Sequence, residues 1–122
     1  MTREHESDSM FEAALRALDL PVIVHGLRDI LFANESACRA VRAAHSSDLI
    51  GADITSLVHP DALHAGEERR RLVIERGQTI RDLPVKLQAL DGATLYARVD
   101  AKRIEWNGET AILLVATSVK SE

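Results

Sequence analysis

Apolar positions near the start of the chain recur with the spacing of a helix. Phe11, Leu15 and Leu18 are four and three residues apart, so they lie on one helical face. Pro21 ends this helix, because the residue that precedes a proline disfavours helical backbone angles. The residues before the stripe, 1–9, are almost all polar, and we expect them to form a flexible tail.

Five later stretches have strand patterns. The runs 21–25 and 30–33 are apolar, the segments 83–89 and 94–104 alternate between apolar and polar residues, and 111–117 is apolar on both phases. Alternation indicates one face open to water, whereas a continuous apolar run indicates a strand covered on both faces. We therefore expect 21–25 and 111–117 at the centre of a sheet, and 83–89 and 94–104 toward one edge.

Helical and turn signals separate these strands. Asn34 is a good N-cap residue, and the alanine-rich segment 35–44 behind it favours a helix. The longest helical segment is 61–76, with a glycine after it. The Asp-Gly pair at 91–92 and the Asn-Gly pair at 107–108 predict hairpin turns.

The ordered set of these segments resembles a PAS domain over residues 10–119. Leu18–Val24 is similar to the family's first helix end and first strand, and Ile30–Ala37 to its second strand, its asparagine and the next helix. Leu49–Ile54 resembles a small helix of the family, and Leu57–Asp61 the start of its long helix. No single segment is diagnostic, and the resemblance rests on their combination and order.

The resemblance implies an α+β fold with a five-stranded antiparallel sheet in the order 2-1-5-4-3. Helices would cover one face, and an N-terminal helix would flank the sheet. Members of the family are sensory, ligand-binding and dimerisation modules, generally without catalytic activity. It therefore implies a non-enzymatic module of a bacterial signalling or transcription-regulatory protein that binds a small molecule. Residues 120–122 would begin a linker to an effector domain.

A break in the apolar stripe of the long helix points to the ligand site. Gly66 costs about 1 kcal/mol of helix stability relative to alanine, so it is expected where a ligand or a backbone approaches closely. Arg69 and Arg70 would then bind an anionic group in the cavity beneath, unless both extend outward to solvent. The predicted ligand-binding residues are Phe32, Ile54, Val58, Gly66, Arg69, Arg70, Val73, Val85 and Leu114.

The apolar stripe of the first helix has two interpretations. Phe11, Leu15 and Leu18 would either contact a second copy of the chain in a homodimer or cover the sheet of their own chain. We take them as the predicted dimer contacts. A dimerisation scaffold without a ligand is therefore the alternative function.

The composition and charge of the chain limit the classes of partner that we expect it to bind. The chain has 15 Lys+Arg against 19 Asp+Glu, a net charge of −4, so we expect no direct binding to nucleic acid. The charged run 67–71 mixes both signs and is typical of a solvated helix face. The sequence has no apolar run long enough to span a membrane and no secretory signal, which predicts a cytoplasmic domain.

We expect no cofactor and no metal. Flavin-type members of the family use a cysteine beside the long helix, whereas Cys38 lies on the helix after the second strand. Haem-type members use a histidine on the long helix, where His64 is the candidate, but the helix ending here departs from theirs. His59, Asp61 and His64 lack a further strong metal ligand.

A small cone-shaped α+β isomerase or dehydratase is the enzymatic alternative. Such an enzyme needs a buried acid or base aimed into a cavity. Tyr96, Arg98 and Asp100 share the polar phase of one strand, so we expect them to point away from the core.

Overall fold

An antiparallel sheet of five strands forms the centre of the computed structural model, which describes residues 3–122 and the side chains from Met10 onward. The strands are β1 Val22–His25, β2 Ile30–Ala33, β3 Ile80–Gln88, β4 Thr94–Trp106 and β5 Glu109–Ser121. Their order in the sheet is β2-β1-β5-β4-β3, as predicted.

Helices cover both faces of the sheet. The N-terminal helix packs on one face, which we call the outer face, and all the others pack on the opposite, inner face. No helix within residues 3–122 is both long and apolar enough to cross a membrane. The helices are α1 Arg3–Ala17, α2 Glu35–Val41, α3 Leu63–Arg76 and the short 3-10 helices Ser46–Asp48, Ile54–Leu57 and Pro60–Ala62.

The two strands predicted to be central are central. β5 pairs with β1 on one side and β4 on the other, and Val22, Val24 and Ile112 are fully buried. Along β1, Val22 and Val24 face α1 while Ile23 and His25 face the inner helices. Both predicted hairpins form. In the second of them two successive positive φ values of 50° and 83° at residues 107–108 match the turn that an Asn-Gly pair favours.

The ends of the fold extend beyond the predicted domain. α1 begins at Arg3, so residues 3–9, predicted as a flexible tail, belong to a helix; their arginine and glutamates are good helix formers. Met1 and Thr2 of that tail lie outside the described residues. At the other end Lys120 and Ser121, assigned to a linker by sequence, pair with β4 as part of the sheet.

Phe32 does not lie where the sequence placed it. It was predicted to line a ligand site on the inner face, but it packs on the outer face against Leu15 and Trp106, with ring centroids 5.4 Å apart for the aromatic pair. The Arg16 guanidinium lies 5.0 Å from the Phe32 ring centroid. Its prediction as a ligand-binding residue is wrong.

A β-bulge explains the position of Phe32. His25 pairs with Ile30 and Val24 pairs with Phe32, so two residues of β1 face three of β2 and Leu31 has no partner. One extra residue moves every following side chain to the opposite face of a strand. Ile30 therefore packs with the inner helices, and Phe32 with α1.

The side chain of Asn34 connects the two layers of helices to the sheet. The residue is 1% exposed, and its Oδ1 accepts hydrogen bonds from the backbone N–H groups of Val22 (3.0 Å) and Ala37 (2.9 Å). Its Nδ2 donates to the carbonyls of Leu15 (3.0 Å) and Leu20 (2.9 Å). The Asn34 side chain thus supplies hydrogen-bond partners to backbone groups at the end of α1, the start of β1 and the start of α2.

We predict that Asn34→Ala lowers the free energy of unfolding by about 3 kcal/mol or more, because it leaves several buried backbone groups without partners. The control Ser36→Ala removes a single hydrogen bond, from the Ser36 hydroxyl to the Asp19 carbonyl at 2.6 Å, and should cost about 1 kcal/mol. Urea unfolding followed by circular dichroism measures both. Equal losses in the two variants would contradict the role given to Asn34.

Candidate functional site

A cavity of about 140 Å³ lies between the inner face of the sheet and α2, the 3-10 helix Ile54–Leu57 and α3. Its walls are mainly the side chains of alanine, valine, leucine and isoleucine. The predicted ligand-binding residues other than Phe32 all border it: Ile54, Val58, Gly66, Arg69, Arg70, Val73, Val85 and Leu114.

Arg69 and Arg70 border this cavity, and both are only partly exposed. Burial lowers the pKa of the Arg70 guanidinium. Within the part of the chain whose side chains are described, neither arginine has a carboxylate oxygen within 4.0 Å. The neighbouring Arg71, in contrast, pairs with Glu68 and Glu75 on the exposed side of α3. The charges of Glu67 and Asp53 act on Arg70 and raise its pKa, but no carboxylate of residues 10–122 forms an ion pair with it within 4.0 Å. Arg70 is therefore a partly buried cation beside an apolar cavity without a direct ion-pair partner among these residues.

Gly66 makes room for this guanidinium. A Cβ on Gly66 would lie 3.3 Å from Nη1 of Arg70 and 3.9 Å from a methyl group of Val58. The first distance is tighter than an ordinary contact, so any side chain here would press on Arg70. The sequence predicted that a ligand or a backbone would approach Gly66 closely. In the structure the nearest group at this position is the guanidinium of Arg70.

His25 is a residue of the cavity that the sequence reasoning missed. It is 2% exposed, borders the cavity from β1, and its Nδ1–H donates to the carbonyl of Gly26 at 2.7 Å. Burial lowers its pKa from 6.5 to about 4, with a smaller contribution from the charge of Arg70. The available signal was its position, two residues after the inward-facing Ile23 in an otherwise apolar strand.

The residues of the alternative sites lie elsewhere. His64 is exposed on α3 and does not border the cavity. Cys38 packs in the cluster of α2, and burial raises the pKa of its thiol. Across the described side chains no three His, Cys, Asp or Glu residues are grouped to hold a metal ion. His59 instead caps the 3-10 helix Pro60–Ala62, its Nδ1 accepting from the N–H of Asp61.

The strand residues of the enzymatic alternative point away from the cavity. Tyr96, Arg98 and Asp100 alternate along β4 with side chains that face the inner helices, so they lie on the outer face. Arg98 donates to the carboxylate of Asp82 at 2.7 Å, and Tyr96 donates to Glu122 at 3.0 Å. These polar side chains are satisfied at the surface of the sheet.

The predicted dimer contacts on the first helix divide into two groups. Leu15 is buried against the sheet of its own chain, and Phe11 packs edge-on against Trp106 with ring centroids 6.0 Å apart. Leu15 therefore covers the sheet of its own chain, which is the second of the two interpretations. An amphipathic helix that lies on a sheet buries its apolar stripe against that sheet. Leu18, beyond the end of α1, is 45% exposed.

Comparison with known proteins identifies the fold. No protein-family model matches the sequence, and no curated protein matches it. Among solved structures, the PAS domain of an HTR-like protein from Haloarcula marismortui is similar with a TM-score of 0.72 at 16% identity, covering 98% of this chain and 95% of that one. The chain has the PAS fold, as the sequence predicted.

Two further structures are similar over nearly their whole length. The PAS domain of nitrogen regulation protein NR(II) from Vibrio parahaemolyticus has a TM-score of 0.69 at 19% identity, with 93% of this chain and 98% of that one covered. A PAS domain in complex with ethanol, from a LuxR-family transcriptional regulator of Burkholderia thailandensis, has a TM-score of 0.68 at 16% identity, with coverages of 91% and 96%.

The buried neutral state of His25 predicts a pH dependence of stability. Because its pKa falls from 6.5 to about 4 on folding, the unfolded chain binds a proton first as the pH is lowered. Stability from this residue is full above pH 6.5 and decreases by about 3 kcal/mol on going to pH 4. Urea unfolding as a function of pH measures the decrease.

The aspartates contribute only to the acidic end of this window. Four surface aspartates have pKa values lowered from 3.8 by hydrogen bonds from a basic side chain or from Thr55, so their contribution begins to fall below about pH 5, where the unfolded chain binds protons first: Asp53, Asp61, Asp82 and Asp91. His25→Phe should therefore flatten the curve between pH 6.5 and about 5, while His64→Gln, at an exposed position, should leave it unchanged. A slope that persists in His25→Phe would contradict the assignment.

Proposed function

We propose that this domain is a non-enzymatic sensory module that binds a small organic anion in the cavity between sheet and helices. The observation that carries the proposal is Arg70, a partly buried cation at an aliphatic cavity that has no ion-pair partner within 4.0 Å among the described side chains. A carboxylate ligand would supply the missing partner through charge-assisted hydrogen bonds. The ethanol complex of the Burkholderia thailandensis domain supports the view that this fold accepts very small organic ligands.

The cavity volume limits the ligand. An apolar protein cavity of about 150 Å³ accommodates benzene, so 140 Å³ suits a molecule of about six non-hydrogen atoms. At the upper bound of about −1.5 kcal/mol per atom, such a ligand reaches a dissociation constant of about 0.3 μM, and most would bind more weakly. A branched short-chain acid has the size, the aliphatic surface and the charge that the site requires.

Isovalerate is a probe of this class, and isovaleramide is its neutral counterpart of the same shape. We predict that the chain binds isovalerate at least about tenfold more tightly than isovaleramide, since only the acid forms a charge-assisted pair with Arg70. Arg70→Gln should remove this difference. Isothermal titration calorimetry at pH 7 measures all four dissociation constants.

Arg71→Gln is the matched control, because Arg71 is the adjacent arginine on the exposed side of α3. It should keep the preference for the acid. If isovalerate and isovaleramide bind equally, or neither binds, the anion site is not supported and the ligand-free scaffold becomes the better interpretation.

Signalling would follow from occupation of the cavity. A ligand that binds one arrangement of sheet and helices better than another shifts the equilibrium between them. In the proposed role this shift would act on an effector domain joined to the same chain. No acidic residue borders the cavity among the described side chains, so a general acid–base pair of the kind an isomerase needs is not supported.

Dimerisation is the second candidate function, favoured by apolar side chains around α1. Met10 is 73% exposed, and Phe11, Leu18 and Leu20 are exposed as well. They extend the packed stripe of Leu15 outward, where a second copy of the chain would cover them. The proposed homodimer uses this surface, with Leu15 serving the core of each protomer.

We predict that Leu18→Glu weakens self-association at least about tenfold, because it places a charge in a desolvated contact. Sedimentation equilibrium measures the dissociation constant. Leu90→Glu is the control, since Leu90 is similarly exposed but lies in the β3–β4 turn. A monomeric parent chain, or equal effects of both substitutions, would contradict the proposed dimer surface.

A further inference from the structure

His25 presents a hydrogen-bond acceptor to the cavity. A carbonyl only accepts, so the contact with the Gly26 carbonyl at 2.7 Å fixes the proton on Nδ1. In the neutral ring Nε2 then carries a lone pair and no hydrogen. The pKa of about 4 keeps the ring neutral at pH 7.

The same Nε2 atom lies open to the cavity. Every fully buried polar side-chain atom in the described part of the chain has a hydrogen-bond partner. Within that part the His25 ring makes a single hydrogen bond, through Nδ1, so Nε2 is not sealed into the packing. Since the residue is 2% exposed and borders the cavity, the open space beside Nε2 is the cavity itself.

We propose that His25 is a specificity-determining residue that selects ligands carrying a hydroxyl group in addition to their carboxylate, which makes a small hydroxy acid the preferred class. This inference rests on the proposed anion site at Arg70. The hydroxyl donates to Nε2 of His25 while the carboxylate faces the arginine. The aliphatic walls take the rest of the molecule.

The surroundings favour a hydroxyl over an ammonium group as the donor. Two cationic side chains, those of Arg69 and Arg70, border the cavity. No carboxylate borders it among the described residues, so an ammonium ligand would meet cations and no counter-ion. A hydroxyl satisfies Nε2 without adding charge.

Isothermal titration calorimetry on the full chain at pH 7 tests the proposal with isovalerate, 2-hydroxyisovalerate and 3-hydroxyisovalerate. We expect at least one hydroxy acid to bind about tenfold more tightly than isovalerate, the gain of one buried hydrogen bond. His25→Phe, which places an aromatic ring without an acceptor at this position, should abolish this preference.

A second readout does not depend on the variant being folded. In the parent chain labelled with ¹⁵N-histidine, the Nε2 resonance of His25 should shift further on adding the preferred hydroxy acid than on adding isovalerate, since only the hydroxy acid donates a hydrogen bond to it. Equal affinity for all three acids, or a Nε2 resonance that responds to none of them, overturns the role of His25.

The test separates the two proposals. If isovalerate binds and Arg70→Gln weakens it, but neither hydroxy acid is preferred, the anion site stands and the hydroxy-acid selectivity is wrong. If none of the acids binds more tightly than isovaleramide, the anion site fails and the selectivity fails with it.

Discussion

One helix on each face of the sheet is held to the central strands through the amide of Asn34. Its four short hydrogen bonds join the end of α1, the first residue of β1 and the first turn of α2. The backbone of Asn34 adds a bond from its N–H to the Val22 carbonyl at 3.1 Å. Because the bonds to Val22, Leu15 and Ala37 are buried, the amide replaces partners that water cannot supply there. A single side chain therefore fixes how α1 and the start of α2 sit on the central strands.

Local patterns predicted the sheet well because its determinants are local. Continuous apolarity placed β1 and β5 at the centre, and the Asp-Gly and Asn-Gly pairs placed the turns. Phe32 was misplaced because a bulge depends on distant contacts. The Ile30 N–H donates to the Ala52 carbonyl at 2.9 Å, and the Gly51 N–H donates to the Ile30 carbonyl at 2.8 Å. These bonds hold Ile30 to another segment, which the alternation within β2 does not reveal.

Some features of the candidate site could likewise be predicted from the local sequence, while others depend on contacts between distant segments. The break in the stripe of α3 identified Gly66, Arg69 and Arg70 from sequence. Whether the arginines turn inward depends on the space between Gly66 and Val58, which belongs to a different element. His25 was missed because its environment arises from α3 and β5, far along the chain, although its inward phase beside Ile23 was visible. The chemical type of a side chain can thus be predicted from the sequence, whereas the residues that surround the side chain are determined by the fold.

β1 links the cavity to the outer helix with very little intervening structure. Its inward side chains, Ile23 and His25, border the cavity, while the alternate ones, Val22 and Val24, pack with Leu15 of α1. A hydrogen bond formed at His25 would act on a strand of four residues, and Asn34 holds the first of those residues to the end of α1. Tightly packed interiors transmit displacements rather than absorb them. A change at the cavity would therefore reach α1, and the apolar surface beside it, through one strand and one amide.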